Sequence, residues 1–134
     1  RIRNDKIKFI RFEAPSISGQ AIGMLVPVRN AEYFIRKGFP FVTCALMQTI
    51  NTQMALDDFE HTGFRNIPSY VDIDSYKVIS WKSDLIPTAS LFMAQQSKHD
   101  KVYPTDSRTL ALKQLKILKN TYGIDILSSI EHEF

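Results

Sequence analysis

Two acidic residues close the sequence, in the run Glu131-His132-Glu133-Phe134. In a β-strand, side chains two residues apart project from the same face and lie about 6.6 Å apart along the chain. Glu131 and Glu133 would then share a face, where two carboxylates repel each other unless they are solvated or hold a cation. Their oxygens suit Mg²⁺ or Mn²⁺ better than a soft metal. Because many solvated strand faces carry the same pattern, spacing alone leaves both interpretations open.

The other residues with chemical potential have no partner at a useful spacing. His132 alternates with apolar positions, which favours packing or a satisfied hydrogen bond. His61 and His99 fall in predicted loops, and Cys44 lies in an apolar stretch where a thiol behaves as a small hydrophobe. The five glycines are isolated, at positions 19, 23, 38, 63 and 123. The sequence therefore contains no Gly-rich loop that would cradle a phosphate.

Composition and charge narrow the class of protein. The 134 residues, 44% hydrophobic and 23% charged, fit an ordered domain, or one domain plus the opening of a second. The net charge of +3 is scattered, and the densest run, Lys113, Lys116 and Lys119, drifts around a helix surface. We therefore expect no nucleic-acid partner. A single cysteine, no apolar run near the roughly 20 residues of a membrane span and no signal-peptide pattern predict a cytoplasmic protein without a membrane partner.

The first half of the chain is predicted to form a hairpin followed by a helix. Strands are predicted over residues 7–13, which are rich in β-branched and aromatic residues, and over residues 20–26. Turn-forming residues lie between them. Asn30 is a good N-cap for a helix over residues 31–37, and Gly38 can end it. Residues 39–62 lack clean periodicity and are predicted to form a long connection with some strand or short-helix content.

The second half adds two strands, a helix and a last strand. Strands are predicted over residues 69–81 and 88–95. A helix over residues 107–121 would be capped by Thr105 or Asp106 and ended by Gly123. Its apolar positions predict a stripe that faces the core: Ala111, Leu112, Leu115 and Leu118.

Residues 124–134 are predicted to be the final strand. Strands that flank a single short helix favour an α+β fold, a small mixed sheet with the helix on one face.

Several stretches carry a family resemblance through their order along the chain. They are Ile-Lys-Phe-Ile-Arg-Phe-Glu-Ala at 7–14, Gly19, Val26-Pro27, the segment 72–81, Thr88-Ala89, Asp106-Ser107-Arg108 and the closing Glu-x-Glu-Phe. Together they resemble the N-terminal part of the glutamine synthetase family. The hairpin is similar to the opening β-grasp strands of that family, and Asp106-Ser107-Arg108 is similar to the Asp-Pro-Arg that opens its first catalytic helix.

The resemblance implies both a fold and a reaction. Residues 1–103 would form a β-grasp (ubiquitin-like) domain, and residues 104–134 would be the first helix and strand of a catalytic domain. The family reaction uses ATP to ligate ammonia or an amine to the γ-carboxylate of glutamate, and Glu131 and Glu133 would bind its divalent metal, Mg²⁺ or Mn²⁺. A ring-shaped homo-oligomer assembled through the β-grasp domain is expected. The fragment alone is expected to bind no cofactor and to be inactive.

Departures from the family pattern leave a non-catalytic alternative open. Residues 38–44 lack the acid and the Gly-Ser-Ser of the ammonia-binding loop, Ala94 stands where many relatives have Asp, and Ser107 replaces the helix-opening Pro. The opening octapeptide looks closest to the lengsin-type branch, which suggests a structural or scaffolding oligomer. An amine-using branch also lacks the loop motif, so catalysis is not excluded. A third interpretation, an unrelated ubiquitin-like binding module, leaves the terminal acids unexplained.

Overall fold

A computed structural model describes residues 2–42, 45, 47–49, 51, 53, 64–82, 86–95 and 106–131. Within these residues, five strands and two α-helices follow one another along the chain. They are β1 (Phe9–Pro15), β2 (Ala21–Pro27), α1 (Val28–Lys37), β3 (Phe39–Val42), β4 (Asn66–Val78), β5 (Thr88–Gln95) and α2 (Ser107–Tyr122). A short 3-10 helix, Ser80–Lys82, follows β4. None of the described helices is long and apolar enough to cross a membrane.

The five strands form one mixed sheet in the order β2-β1-β5-β4-β3. β1 and β5 are parallel at its centre, and the other neighbouring strands are antiparallel. Because the chain crosses from the β1–β2 hairpin through α1 before it returns, β5 can run beside β1 in the same direction. This arrangement confirms the predicted α+β fold and is consistent with a β-grasp domain.

The predicted hairpin forms, with β1 two residues and β2 one residue later than predicted; Phe9 lies opposite Pro27 and Pro15 opposite Ala21. The connecting turn closes through a hydrogen bond of 2.8 Å from the Ser16 amide to the Gln20 carbonyl. Gly19 supplies the left-handed backbone that this turn requires, at φ +81°. The local turn chemistry therefore sets the register of β1 and β2.

The core lies between α1 and one face of the sheet. Alternate residues of the two central strands are buried there: Ile10, Phe12 and Ala14 on β1, and Ala89, Leu91 and Met93 on β5. The Phe39 ring packs against Phe12, with centroids 4.7 Å apart, and stacks on Phe34 of α1 at 4.2 Å. Apolar burial of this kind is the dominant favourable term in folding.

α1 begins three residues earlier than the sequence predicts. Asn30 lies inside the helix, and no side chain caps its N-terminus. Instead, the Val28 amide donates to the Lys8 carbonyl at 2.9 Å, so backbone just before β1 satisfies a first-turn donor that a cap would otherwise take. The predicted end is confirmed, since Gly38 has φ +76° and its amide donates to the Phe34 carbonyl.

Some strand content was expected within the connection over residues 39–62, and the structure has a strand at its start. Phe39–Val42 forms β3, which pairs with the first residues of β4 from Asn66 to Ser69. β4 also begins and ends three residues before the predicted strand over 69–81. Pro40 and Pro68 lie directly opposite each other in this pairing, which suits an edge strand and obscures the strand pattern in the sequence.

α2 confirms the predicted helix but not its predicted environment. The helix extends one residue further, to Tyr122, and Gly123 ends it in the left-handed conformation at φ +67°. However, the expected stripe of Ala111, Leu112, Leu115 and Leu118 does not face a core. No residue of α2 is buried, because no described element packs against this part of the helix.

The predicted final strand over residues 124–134 is also not formed in the part that the structure describes. Residues 124–131 have no strand pairing and are exposed. A strand is stabilised by hydrogen bonds to a neighbour, and no described strand lies beside this segment.

Candidate functional site

The two acids singled out in the sequence are only partly placed by the structure. Glu131 lies in the irregular, exposed segment after α2, whereas Glu133 is outside the described residues. The structure also does not describe the other candidates, which are Cys44, His61, His99 and His132. Among the residues with described positions, no cluster of three or more potential metal ligands occurs. The shared face of Glu131 and Glu133 therefore stays a prediction.

Glu131 lies after the C-terminal end of α2, and Asp106 joins the N-terminal end of this helix to the sheet. This carboxylate is 1% exposed, and it accepts hydrogen bonds from the Gln95 amide at 2.7 Å and from the Thr109 amide at 2.9 Å. Gln95 is the last residue of β5, and Thr109 lies in the first turn of α2. One side chain thus caps the helix and also satisfies the end of a central strand.

Arg108 adds a second link between α2 and the sheet. Its Nη2 atom lies 2.7 Å from Oδ2 of Asp72 on β4, and its guanidinium carbon lies 4.8 Å from the centroid of the Phe92 ring on β5. Both charged side chains are mostly buried. Because a guanidinium is planar, it can pair with a carboxylate and stack on an aromatic face at the same time.

These contacts lie on the face of the sheet opposite α1. Asp72 and Phe92 are paired across β4 and β5, whereas the neighbours Leu91 and Met93 point into the core beneath α1. The sheet therefore carries one helix on each face, and the contacts of α2 with the described part of the sheet lie at its N-terminal end. Its 16 residues extend about 24 Å from that end.

Many apolar side chains of α2 and of the segment after it are exposed. On the helix these are Leu110, Leu112, Leu115 and Ile117, and after it they are Ile124, Ile126, Leu127 and Ile130. Leu127 is 97% exposed. Exposed apolar side chains in this number are typical of a region that packs against another element.

The sequence singled out Asp106-Ser107-Arg108 as a motif but did not predict its partners. Asp72 and Phe92 are distant in sequence from Arg108 and meet it only because β4 and β5 are paired. In the structure this motif anchors the N-terminal end of α2 to the sheet.

Comparisons with known proteins agree with this fold. No family model and no curated protein matches the sequence. Among solved structures, a GmaS–ADP complex and GmaS without ligand are each 18% identical, with a TM-score of 0.66 over 90% of this chain and 25% of theirs. A structure described as a novel glutamine synthase homologue is 14% identical, with a TM-score of 0.71 over 86% of this chain and 27% of its own.

The chain thus spans about a quarter of the length of these solved proteins. The predicted resemblance to the glutamine synthetase family is confirmed at the level of the fold, because the similarity extends over nearly all of this chain. The protein has the fold of one portion of a glutamine synthase homologue.

Proposed function

We propose that this chain is the N-terminal portion of a glutamine-synthetase-family protein. Residues 1–103 would be its β-grasp domain, and residues 104–134 would open its catalytic domain. The complete protein would use ATP to ligate ammonia or an amine to the γ-carboxylate of glutamate. The observation that carries this proposal is the similarity in fold to a glutamine synthase homologue over 86% of the chain.

Two further observations support nucleotide and metal use by the complete protein. One of the similar GmaS structures is a complex with ADP. In this chain, Glu131 is exposed, and among the residues whose positions are described it forms no salt bridge. Glu131 and Glu133 supply hard oxygen donors, which fit Mg²⁺ or Mn²⁺. A divalent cation there would screen phosphate charge during transfer.

The role of this portion in such an enzyme is to position the acids. Asp106 and Arg108 fix the start of α2 on the sheet. The exposed apolar residues of α2 would then pack in the core of the catalytic domain. The proposal includes a cytoplasmic homo-oligomeric ring assembled through the β-grasp domain.

A structural or scaffolding oligomer of the lengsin type is the second candidate. The specific observation in its favour is the segment after α1, where Phe39–Val42 is a strand and contains no acid. An ammonium ion would find no carboxylate on these residues. An amine-using enzyme is also consistent with this segment, because an amine-using branch of the family lacks the same loop motif.

The decisive assay uses the full-length protein with ATP, Mg²⁺, glutamate and either ammonia or a panel of primary amines. Phosphate release that depends on an amine, and that Glu131→Ala abolishes, is the expected result. Glu32→Ala is the matched control, because Glu32 is an exposed acid of α1 paired only with Arg36 among the described residues. A folded protein that releases no phosphate with any acceptor would support the scaffold instead.

A further inference from the structure

A second region of the molecule, far in sequence from Glu131, forms a cavity. It has a volume of about 660 Å³, within the range of small-molecule sites. Ile2, Ile35 and Leu91 provide apolar wall, from the N-terminal turn, α1 and β5 respectively. Arg3, Asp74 and Tyr76 line the same cavity. The space thus combines an apolar interior with two full charges.

Asp74 and Tyr76 of the cavity lining belong to the stretch where β4 leaves the ladder with β5, between Asp72 and Lys77. Side-chain hydrogen bonds hold this bulge. The Ser75 hydroxyl accepts from the Phe92 amide at 2.8 Å and donates to the Asp72 carbonyl at 2.6 Å, while the Asp74 amide donates to Oδ1 of Asp72 at 3.1 Å. The strand is therefore built to bulge here, as strands are near many active sites.

The opposite wall is also held in place. In the N-terminal turn, the Lys6 amide donates to the Arg3 carbonyl, and the Ile7 amide donates to the Ile2 carbonyl, each at 3.2 Å. The Tyr76 hydroxyl donates to Oδ2 of Asp5 at 2.7 Å, which ties this turn to β4. The backbone on both sides of the cavity is thus held by hydrogen bonds within the protein.

The two charges on the cavity are opposite in sign, and no ion pair within the described residues neutralises them. Arg3 and Asp74 form no salt bridge with each other or with any residue in the described part of the chain. Both residues are exposed to solvent, so each can exchange water for a charged ligand group. An acid and a base at separate points of an apolar cavity match a zwitterion whose third substituent is apolar.

We propose that this cavity binds a free α-amino acid with a large apolar side chain. The ligand carboxylate would pair with Arg3 and its ammonium group with Asp74, while the side chain would contact Ile2, Ile35 and Leu91. The charged pairs orient the ligand, and burial of its side chain supplies apolar contact. This inference goes beyond the proposed ligase reaction and does not depend on it, because the cavity uses none of the residues assigned to metal or nucleotide.

The test is calorimetric titration of the full-length protein with L-phenylalanine and two analogues that each lack one charge. 3-Phenylpropionate lacks the ammonium group, and phenethylamine lacks the carboxylate. Saturable binding of L-phenylalanine is expected, with each analogue about tenfold weaker, since a charge-assisted hydrogen bond of about 1.4 kcal/mol corresponds to a factor of ten.

Two variants make the test specific to the cavity. Arg3→Gln should weaken the binding of L-phenylalanine and 3-phenylpropionate about tenfold and leave the binding of phenethylamine unchanged. Asp74→Asn should weaken the binding of L-phenylalanine and phenethylamine about tenfold and leave the binding of 3-phenylpropionate unchanged. Lys37→Gln and Glu32→Gln, on α1 and outside the cavity lining, should bind as the wild type does. Absence of saturable binding at millimolar concentration, or binding that neither cavity variant alters, would overturn the proposal.

Discussion

Asp106 is the residue on which the junction between the sheet and α2 most depends. Its buried carboxylate accepts two backbone hydrogen bonds, one from each element. Asp106→Ala removes an N-cap, at about 1 kcal/mol, and leaves a strand-end amide without its acceptor, at about 1–3 kcal/mol. We therefore expect the free energy of unfolding, measured by urea denaturation, to fall by about 2–4 kcal/mol.

Asp125→Ala is the control for this change. Asp125 also accepts from a neighbour, Lys119, but both side chains are exposed. An exposed pair contributes little, so the loss should stay within about 0.5 kcal/mol. Equal losses for the two variants would mean that Asp106 acts only as a surface charge.

Gly23 is required by the close approach of β1 and β2. A Cβ atom there would lie 1.8 Å from the Phe12 carbonyl oxygen. Gly23→Ala should therefore force the strands apart and lower the free energy of unfolding by about 1–3 kcal/mol or more.

Gly19→Ala, in the same hairpin, is the control variant, because it replaces a glycine without a steric clash. A Cβ atom added at Gly19 would meet no atom of a non-neighbouring residue within 4 Å, so this change carries only the cost of the positive φ, about 1–2 kcal/mol. Urea midpoints should place Gly23→Ala below Gly19→Ala. The reverse order would contradict the observed hairpin register.

At the scale of the elements, the bulge in β4 depends on Ser75. Its hydroxyl gives the Phe92 amide an acceptor that the bulged strand does not provide. Ser75→Ala should cost about 1–3 kcal/mol and accelerate hydrogen exchange at the Phe92 amide. Ser80→Ala, an exposed serine just after the same strand, should leave that exchange rate unchanged. Unchanged exchange in Ser75→Ala would mean that the bulge is held by other contacts.

The elements that the sequence predicted best are those with local signals. The strand Thr88–Gln95 has the predicted bounds, and the caps Asp106 and Gly123 lie where their chemistry indicates. The sequence allowed for a strand within residues 39–62 but did not locate β3, because Phe39–Val42 is short, contains a proline and is stabilised by pairing with β4, which is distant in sequence. The start of α1 was missed because backbone near β1, not Asn30, satisfies the Val28 amide.

The candidate site was predicted less completely, for a related reason. Periodicity identifies which side of α2 is apolar, but it does not say what covers that side, so the core-facing stripe was wrong for this chain. The contact of Arg108 with Asp72 and Phe92 depends on the pairing of two strands and has no local signal. The two-residue spacing of Glu131 and Glu133 puts both side chains on one face only if the segment is a β-strand.

At the scale of the whole molecule, the exposed face of α2 tests whether a further domain packs on it. Leu115 is 42% exposed in this chain. If α2 opens a catalytic domain, Leu115→Ser in the full-length protein should lower the free energy of unfolding by about 2–5 kcal/mol, as for a buried leucine.

Lys116→Ser, at the next position of the same helix, should change that free energy by no more than about 0.5 kcal/mol. Thermal or urea denaturation of the two variants provides the comparison. A Leu115→Ser protein as stable as the Lys116→Ser protein would place this face of α2 in solvent, and it would contradict the proposed domain arrangement.

Whether the acids after α2 hold a divalent cation is tested most directly by Mn²⁺ titration of the full-length protein, followed by electron paramagnetic resonance. Glu131→Ala and Glu133→Ala should each weaken Mn²⁺ binding at least about tenfold, because each removes a charged oxygen ligand. Glu32→Ala should retain wild-type affinity. Wild-type Mn²⁺ binding by both Glu131→Ala and Glu133→Ala, or no Mn²⁺ binding by the wild-type protein, would contradict the proposed metal site.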